Sequence, residues 1–535
     1  MARPRLSEQQ KLANALAELH QVLGSERGVV RGKQIKNTTR VLLLERGYLR
    51  EILKGWYFVS DPLAAPGDTT PFFANYWEYL ASYLSERFGS DYCLTAEHSL
   101  LRQAHHNVVP KQLNVMLAVK QSQIQELAFG HSVALYPGGK SFPPAEDQET
   151  LMGVRCMSAP YCLVMLNPRY FKDYAREVQI VMGKIEDPSA IAAQVDVNAT
   201  GVARLVAAYR RIGRNDFAED ILRQLSGLKA QLQWRLMPAG GRDVETKTTL
   251  AVDDDPFAGE PVYQLGMPGR SPLYTRIKVL WAQHRETVLA TRPQQAVMDV
   301  SADAYLARVD AIRIEDAYHS LSIERYRVTP DLIRKVAEEQ WNPVGNPEDQ
   351  RQIDAMAARG YLDAFEWVKE DAGQAFSGKD STPGLAARLF NERHQAWFQK
   401  LFGPSVDAGI LERRDLVGYR RHMVFLRGSL HSPPHFDYVR DGMEALRECI
   451  ADEPDAFVRA VLGHWLFGFV HPYMDGNGRM ARFTMNLMLA SGGYPWTVIR
   501  VDDRSAYMAA LEKASVADDL ATFSAFVAGC VRASL

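Results

Sequence analysis

The sequence predicts a mainly α-helical chain whose first part is a mixed α+β region. Three observations predict this. From about residue 273 onward, apolar residues recur at the three- and four-residue steps of buried helix faces. Before that, short apolar runs typical of strands alternate with helical stretches, and a Gly-, Pro- and Asp-rich segment typical of an exposed linker separates the two parts. We therefore divide the chain into residues 1–60, an α+β domain of unassigned role at 61–236, a linker at 237–272 and a helical domain at 273–535.

The composition is that of packed globular domains. The chain has 535 residues, 47% of them hydrophobic, and its 62 Lys and Arg nearly balance its 64 Asp and Glu. This balance predicts neither a nucleic-acid coat protein nor an acidic tail. Five scattered cysteines without a C-x-x-C pair disfavour a disulfide framework and a zinc cluster. No apolar run reaches the roughly 18 residues that span a bilayer, so we expect a cytoplasmic protein with no membrane partner.

Residues 1–60 predict a winged helix-turn-helix. An amphipathic helix over residues 7–23 is followed by two short helical stretches, near 32–36 and 38–46, and by a hairpin pattern ending in K-G-W-Y-F-V. Basic residues outnumber acidic ones here, which favours contact with DNA phosphates. The candidate DNA-binding residues are Arg31, Lys33, Lys36 and Arg40. A protein-docking module with solvated basic residues is the alternative.

The helical domain contains a segment in which the parts of a phosphate-binding loop follow one another. An apolar helical run ends at His471-Pro472, where the proline favours an extended conformation before it. The glycines Gly476 and Gly478 flank Asn477 and permit backbone angles that let successive N–H groups converge on an anion. The helix predicted to begin there adds the positive end of its dipole.

Charged side chains complete this segment. Arg479 and Arg482 lie three residues apart, so they share a helix face and can direct two guanidinium groups at one polyphosphate. Asp475 is close enough in sequence to bind a hard cation such as Mg²⁺. His471, with an ordinary pKa of about 6.5, is the natural general base. The segment predicts a site that positions a nucleotide phosphate for attack by a hydroxyl group.

The residues from His471 to Arg482 resemble the motif of the Fic domain family, H-x-F-x-(D/E)-G-N-G-R-x-x-R, with Tyr473 as the single departure. The resemblance covers about residues 300–530 and implies a protein adenylyltransferase. It implies that His471 deprotonates a Ser, Thr or Tyr hydroxyl of a target protein and that Asp475 binds Mg²⁺. It also implies that the glycine loop and both arginines hold ATP while AMP is transferred and pyrophosphate leaves.

Two further segments extend the resemblance. Residues 418–434, G-Y-R-R-H-M-V-F-L-R-G-S-L-H-S-P-P, are similar to the family's target-docking β-hairpin. An exposed strand edge there can pair with an extended target segment, and a covering hairpin without a partner is the alternative. Downstream, G-G-Y-P-W and the helix from Tyr507 to Leu511 continue the resemblance, which implies that Tyr507 contacts the nucleotide. The expected docking residues are Met423, Val424, Phe425 and Leu426.

An upstream helix carries a candidate brake. Ser320 and Glu324 in S-L-S-I-E-R resemble the family's inhibitory motif, (S/T)-x-x-x-E-(G/N), with Arg325 in place of Gly or Asn. The resemblance implies that Glu324 pairs with Arg482 and blocks productive placement of ATP. In physical terms, a carboxylate and a phosphate compete for one guanidinium group. An ordinary solvated glutamate is the alternative.

The leading hypothesis is an autoinhibited protein adenylyltransferase with ATP as substrate, Mg²⁺ as cofactor and a hydroxyl-bearing protein as target. The alternative is a DNA-binding regulator or toxin–antitoxin component whose Fic-like domain only senses nucleotide. R-V-L-L-L-E-R-G-Y-L-R near the N-terminus weakly resembles the winged helix of abortive-infection antitoxins. Transfer of another nucleotide and removal of AMP stay open. DNA is the expected partner of the N-terminal domain, and a homo-oligomer is compatible with the sequence.

Overall fold

A computed structural model describes residues 7–23, 28–60, 62, 69–232, 235–238, 249–252, 255–263, 269–338, 353–378 and 384–535. Its internal contacts divide the chain into two units. The N-terminal unit is Met1–Thr275 with Phe425–Ser432, and the C-terminal unit is Arg276–Val424 with Pro433–Leu535. None of the helices in the described ranges is long and apolar enough to cross a membrane.

The N-terminal unit begins with a small module of helices and an antiparallel sheet. Its first helix is capped by Ser7, whose hydroxyl accepts a hydrogen bond from the Gln10 N–H at 3.2 Å. Three strands follow in the sheet order β1-β3-β2, and Leu19, Leu43 and Tyr57 lie in the shared core. The winged helix-turn-helix assignment stays a prediction. The elements are α1 (Glu8–Leu23), β1 (Val29–Arg31), a 3₁₀ turn (Gly32–Gln34), α2 (Asn37–Glu45), β2 (Leu49–Leu53) and β3 (Trp56–Val59).

A four-stranded sheet with the order β4-β5-β7-β6 forms the centre of the rest of this unit. Strands β5 and β7 are parallel, and the other two pairings are antiparallel. In β5, Leu113, Val115 and Leu117 alternate onto one face and are fully buried. The strands are β4 (Tyr92–Leu94), β5 (Gln112–Leu117), β6 (Gln123–Glu126), β7 (Ser132–Pro137) and the antiparallel pair β8 (Gln148–Leu151) and β9 (Val154–Met157). The helices are α3 (Thr70–Phe88), α4 (Ala96–Gln103), α5 (Ala159–Met165), α6 (Tyr170–Asp173), α7 (Ala175–Lys184), α8 (Pro188–Ala192), α9 (Ala199–Arg211) and α10 (Asn215–Leu232).

The prediction of an exposed linker is wrong for residues 255–263. Phe257 is fully buried in the core of the N-terminal unit and packs on Phe171. The Gln179 side chain donates to the Pro261 carbonyl and accepts from the Tyr263 N–H. One aromatic side chain thus anchors a segment whose composition is that of a loop. Strands β10 (Arg235–Pro238) and β11 (Thr249–Val252) pair in parallel, whereas 239–248, 253–254 and 264–268 lie outside the described residues.

The C-terminal unit is built from helices, which confirms the mainly α fold. Two of them, α18 (Ala456–Val470) and α19 (Asn477–Ser491), pack against each other and are buried on nearly every side. Because such helices belong at the centre of a domain, the loop that joins them is held by the core of the unit. The helices are α11 (Pro272–Thr291), which begins just before the division, α12 (Ala302–Ala311), α13 (Arg313–Ile323), α14 (Pro330–Ala337), α15 (Ile353–Ser377), α16 (Leu385–Asp407), α17 (Val439–Asp452), α18 (Ala456–Val470), α19 (Asn477–Ser491), α20 (Arg504–Val516) and α21 (Leu520–Ala533).

The prediction of a β-hairpin within residues 418–434 is wrong. All of these residues are described, and they form an irregular loop with no strand pairing inside the segment. Gly418 and Gly428 adopt φ of 74° and 77°, the left-handed region that interrupts an extended strand. His431, which belongs to the N-terminal unit, forms one isolated antiparallel bridge with Val108 of that unit.

Candidate active site

The loop between α18 and α19 takes its shape from its own sequence. His471 ends α18 in a left-handed conformation, with φ 51°, and Pro472 cannot continue a helix. The Asn477 side chain closes the loop, because its Oδ1 accepts from the Tyr473 N–H at 2.9 Å and its Nδ2 donates to the Tyr473 carbonyl at 2.8 Å. Gly476, with φ 81°, leads into α19. The predicted glycine loop and helix N-terminus therefore lie together.

Tyr473 stands where the motif has Phe, and its side chain points into the core. Its ring stacks on Phe398 with a centroid distance of 3.7 Å and an interplanar angle of 5°. Its hydroxyl is buried and meets no hydrogen-bond partner among the described residues. The loop thus accepts a tyrosine at the cost of an unsatisfied hydroxyl group.

His471 is prepared to accept a proton. Its Nδ1 lies 3.2 Å from the Gly468 carbonyl oxygen, which can only accept, so Nδ1 carries the proton and Nε2 is the basic atom. Burial lowers the pKa of His471 to about 4, and the charge of Arg420 contributes to the lowering. The imidazole is therefore neutral near pH 7, as a general base must be.

Arg482 is bound by the candidate brake. Its Nε donates to Ser320 Oγ at 2.9 Å, and its Nη2 donates to the Ser320 carbonyl at 3.0 Å and to Glu324 Oε1 at 2.9 Å. Burial opposes the charge of Arg482, but the Glu324 carboxylate holds the pKa of this arginine above its usual range. Ser320 lies on α13 and Glu324 caps its end. The structure thus brings together two predicted residues that are 158 positions apart, Glu324 and Arg482.

The Glu324 carboxylate also lies over the glycine loop. A Cβ atom on Gly478 would stand 2.1 Å from Glu324 Oε1 and 3.3 Å from Arg482 Nη1. Arg482 Nη1 and Arg479 Nε are buried donors that meet no acceptor within the described ranges. The space beside Gly478 already holds one anionic group, and the unmet Arg482 Nη1 beside it fits an additional oxygen of a phosphate.

Asp475 and Arg479 meet a residue that sequence reasoning missed, Tyr326. The Tyr326 hydroxyl donates to Asp475 Oδ2 at 3.3 Å and accepts from Arg479 Nη2 at 3.3 Å. Arg479 Nη2 also lies 3.2 Å from Asp475 Oδ2, and its guanidinium covers the Tyr326 ring at 5.1 Å. The position of Tyr326, two residues after Glu324, was the signal that could have found it. The segment after α13 therefore touches the candidate metal ligand as well as the candidate phosphate clamp.

Arg325, which follows Glu324, has a left-handed backbone conformation. Its φ is 70°, in the left-handed region that costs other residues conformational energy. The Arg325 N–H donates to the Ser322 carbonyl and the Tyr326 N–H donates to the Leu321 carbonyl, the pattern that terminates a helix after a left-handed residue. A residue other than glycine thus occupies the left-handed position at the end of α13.

Asp475 is the candidate metal ligand, and its side chain is 64% exposed. No group of three or more metal-ligating side chains occurs in the part of the chain that the structure describes. A single carboxylate fits Mg²⁺, which keeps waters and takes phosphate oxygens from a nucleotide. The residues present therefore fit a cation that arrives with ATP.

Tyr507 is buried beside the motif helix. Its hydroxyl lies 2.8 Å from His464 Nε2. Burial raises the pKa of Tyr507 to about 12, and the nearby charge of Arg482 opposes that rise. Burial likewise lowers the pKa of His464 to about 3. The structure thus places Tyr507 near the candidate clamp.

The candidate docking residues are divided between the two units. Met423 and Val424 belong to the C-terminal unit, and Phe425 and Leu426 belong to the N-terminal unit. Of the four, Val424 is buried and the others are partly exposed. Target docking on this loop stays a prediction.

The basic residues of the N-terminal module are largely engaged with their own unit. Acidic side chains of α1 and α3 offset part of the positive charge that the sequence places there, and one arginine covers an aromatic ring at 5.9 Å. Contact with DNA at this module stays a prediction. The pairs are Arg31–Glu86, Lys33–Glu86 at 2.7 Å, Lys36–Glu18 at 3.9 Å, and Arg40–Asn37 at 2.5 Å with Tyr57 under the Arg40 guanidinium.

Comparison with known proteins gives one family over the motif. Residues 385–489 match the Fic/DOC family. A curated relative, the protein adenylyltransferase Fic of Nematostella vectensis, is 33% identical over 121 residues, which are 22% of this chain and 28% of the relative. The protein adenylyltransferase fic-1 of Caenorhabditis elegans is 33% identical over 108 residues, 19% of this chain and 21% of the relative. The chain thus matches about a quarter of the length of these relatives.

Solved structures of Fic proteins are similar over larger parts of the chain. A Fic domain containing signaling protein from Bacteroides thetaiotaomicron is 18% identical with a TM-score of 0.32, covering 48% of this chain and 94% of that protein. Fic-1 from C. elegans is 17% identical with a TM-score of 0.32, and the match covers 67% of this chain and 85% of that protein.

Proposed function

Because this chain carries a Fic domain, we propose that it is a protein adenylyltransferase that transfers AMP from ATP to a Ser, Thr or Tyr hydroxyl of a target protein. One observation carries the proposal: a neutral histidine, His471, stands at one end of a loop whose other end presents buried arginine donors to an anion. Curated relatives of the matched region are named protein adenylyltransferases. Each part of the reaction then has a residue.

The proposed reaction forms a bond between the target oxygen and the α-phosphorus of ATP. His471 Nε2 takes the proton of the target hydroxyl while the oxygen of that hydroxyl attacks the α-phosphorus of ATP. The bond between the α-phosphorus and its bridging oxygen breaks, and pyrophosphate leaves with that oxygen. Arg479, Arg482 and the N–H groups at the start of α19 bind the phosphate charge. Asp475 would hold Mg²⁺, which supplies charge neutralisation at the phosphate oxygens.

We further propose that Glu324 holds the reaction off. Its carboxylate occupies the space beside Gly478 and bonds Arg482 at 2.9 Å. A phosphate at the same place would meet both a steric conflict and charge repulsion. The transferase is therefore a switch that is off until α13 or its end moves.

The test is mass spectrometry of the Glu324→Gly chain after incubation with ATP and Mg²⁺, alone and with a cell lysate. The proposal predicts Ser, Thr or Tyr side chains that carry an added AMP group, on this chain or on a lysate protein. The same incubation with Glu324→Gly and His471→Ala combined should leave none. Addition of a bare phosphate, or no addition at all, would contradict adenylyl transfer and favour nucleotide sensing.

For the N-terminal module we propose contact with DNA backbone phosphates. Lys33 and Lys36 have side chains that are 65% and 80% exposed, so each keeps access to solvent despite its acidic neighbour. Binding of the full chain to a labelled duplex should weaken steeply between 50 and 200 mM salt. A variant with Lys33 and Lys36 changed to Gln should bind more weakly and with a smaller salt slope. Binding that is absent at low salt would favour a protein partner instead.

A further inference from the structure

Arg420 is a buried arginine that interacts with the motif loop, and the proposed reaction leaves it without a role. Its backbone N–H donates to the Pro472 carbonyl at 2.8 Å, and its Nε donates to the His471 carbonyl at 2.8 Å. One residue therefore takes the carbonyl oxygens of two consecutive residues, at the point where the chain leaves α18. His471, the first of these two residues, has the left-handed φ of 51°.

The other guanidinium nitrogens of Arg420 reach both ends of the adjoining loop. Nη1 donates to the His422 carbonyl at 2.9 Å, and Nη2 donates to the Pro434 carbonyl. Every acceptor of this side chain is a backbone carbonyl, and no carboxylate pairs with it in the described parts of the chain. Burial lowers the pKa of Arg420 to about 10. A buried cation without a counter-ion is costly, so the arrangement calls for a reason beyond ordinary packing.

The fork of Arg420 fixes the backbone on which the base is carried. A left-handed histidine is strained, and it persists only when its surroundings determine it. Here the Phe467 carbonyl accepts a hydrogen bond from the His471 N–H at 2.9 Å. Arg420 donates hydrogen bonds to the carbonyls of His471 and Pro472. Rotation of the His471 peptide back toward a helical or extended conformation would break both contacts with Arg420.

We propose that Arg420 is a positioning residue for the transfer reaction: its forked contacts hold His471 in the left-handed conformation that presents Nε2 to the attacking hydroxyl, and they tie the loop from His422 to Pro434 to the same point. This inference rests on the proposed function. The proposed effect of Arg420 on the rate comes from the position of His471, because a base displaced by about 1 Å loses much of its effect on a reaction.

The test compares lysine substitutions at two buried arginines. Arg459 is also buried, donates to the Glu453 and Pro454 carbonyls and has its pKa lowered by burial, but it has no contact with the motif loop among its described hydrogen bonds. Arg420→Lys and Arg459→Lys each keep a charge and lose the fork. In the full chain with Glu324→Gly, we expect Arg420→Lys to lower the rate of AMP self-incorporation at saturating ATP by about 10- to 100-fold. The half-saturating ATP concentration should change less than about twofold.

Arg459→Lys should leave both quantities near those of the Glu324→Gly chain, even where it lowers the melting temperature as much as Arg420→Lys does. Equal losses of rate in the two variants, or a loss in Arg420→Lys that comes only from weaker ATP binding, would overturn the positioning role. Equal melting temperatures with unequal rates would support it.

A second readout does not depend on transfer activity. The charges that face His471 are Arg420, Glu324 and Asp475, so removing the Arg420 charge should raise the pKa of His471. Titration of ¹³C-labelled histidine by NMR, with His471→Ala to assign the signal, should show a higher midpoint in Arg420→Met than in the parent chain or in Arg459→Met. An unchanged midpoint in Arg420→Met would show that the Arg420 guanidinium does not lie beside His471, which would overturn the inference even in an active enzyme. Absence of AMP transfer in Glu324→Gly, with the midpoint shifted, would instead contradict the proposed function.

Discussion

The two ends of the motif loop are held in opposite ways. At the first end, His471 is neutral and its basic Nε2 is left to accept a proton, while backbone contacts from Arg420 and Gly468 fix it. At the second end, Arg482 is already bound to Ser320 and Glu324, which come from another helix. The end that would carry out proton transfer is ready, and the end that would bind phosphate is occupied.

This difference indicates where control of such a site is least costly. A preorganised base keeps its geometry whether or not substrate is present, so regulation need not disturb it. A phosphate clamp can be blocked by one carboxylate, because carboxylate and phosphate use the same donors. Substitutions at each end of the loop should therefore have different effects.

The largest effect should come from the base. His471→Ala, in the Glu324→Gly chain, should lower incorporation of labelled AMP by about 100- to 10,000-fold, the usual contribution of a general base. Affinity for ATP, measured by equilibrium binding, should stay within a few-fold because the clamp is intact. Transfer at the parental rate would show that another group takes the proton.

The brake should give the next largest effect. Glu324→Gly alone should raise incorporation of labelled AMP by about 10- to 100-fold, since it removes a charge-assisted hydrogen bond that is worth roughly 1.5–3 kcal/mol. Glu315→Gly is the matched control, because Glu315 lies on the same helix and its ion pairs are with His319 and Arg500 rather than with the motif. A similar rise in both variants would point to a loosened helix instead of a released clamp.

Tyr326 should have a smaller effect of the same sign. Tyr326→Phe keeps the ring beside Arg479 and removes the hydroxyl from Asp475 and Arg479, so incorporation should rise about 2- to 10-fold. The Mg²⁺ concentration that gives half-maximal rate should fall at the same time. Tyr318→Phe, a change on α13 at a residue whose ring packs on His319, should alter neither quantity. A rise in AMP incorporation without any change in Mg²⁺ dependence would show that the contact of Tyr326 with Asp475 does not contribute to the inhibition.

Arg325 offers a way to strengthen the brake. Arg325→Gly relieves a left-handed residue at the end of α13 and should raise the free energy of unfolding by about 1 kcal/mol. Basal incorporation should fall with it. Arg325→Ala removes the same charge but keeps the strain, so denaturant unfolding of the two variants separates backbone conformation from charge. Equal free energies of unfolding for Arg325→Gly and Arg325→Ala would show that the backbone at position 325 is not strained.

The smallest effect concerns the loop itself. Tyr473→Phe removes a buried hydroxyl with no partner among the described residues, so the free energy of unfolding should rise by roughly 1 kcal/mol or less. Tyr419→Phe is the contrasting control, because its hydroxyl lies 3.0 Å from His394 Nε2, and it should destabilise the chain. A loss of stability in Tyr473→Phe would mean that its hydroxyl has a water or another partner.

Local features were predictable from the sequence, and distant contacts were not. The motif loop closes through residues four apart, Tyr473 and Asn477, and Gly476 takes the left-handed angle that glycine favours, so sequence alone was enough. The pairing of Glu324 with Arg482 spans 158 positions, and only the family resemblance suggested it. Arg420 and Tyr326 gave no periodic signal, because their contacts are with backbone carbonyls and with side chains far along the chain.

The failed predictions have physical causes of the same kind. The segment 418–434 has residues typical of a hairpin, but glycines at positive φ and the carbonyl contacts of Arg420 shape it into an irregular loop. The segment 255–263 has the composition of a linker, but the burial of Phe257 fixes it. Composition describes average tendencies, whereas a single well-buried side chain decides the outcome.

If Glu324 holds the reaction off as we propose, its carboxylate occupies the place of a nucleotide phosphate. The most direct measurement is a crystal structure of the Glu324→Gly chain with Mg²⁺ and a non-hydrolysable ATP analogue. We expect a phosphate oxygen beside Gly478, within hydrogen-bonding distance of Arg482, where the Glu324 carboxylate lies in the parent chain. A nucleotide bound elsewhere, with the space beside Gly478 still empty and Arg482 bound only to Ser320, would contradict the proposed role of Glu324.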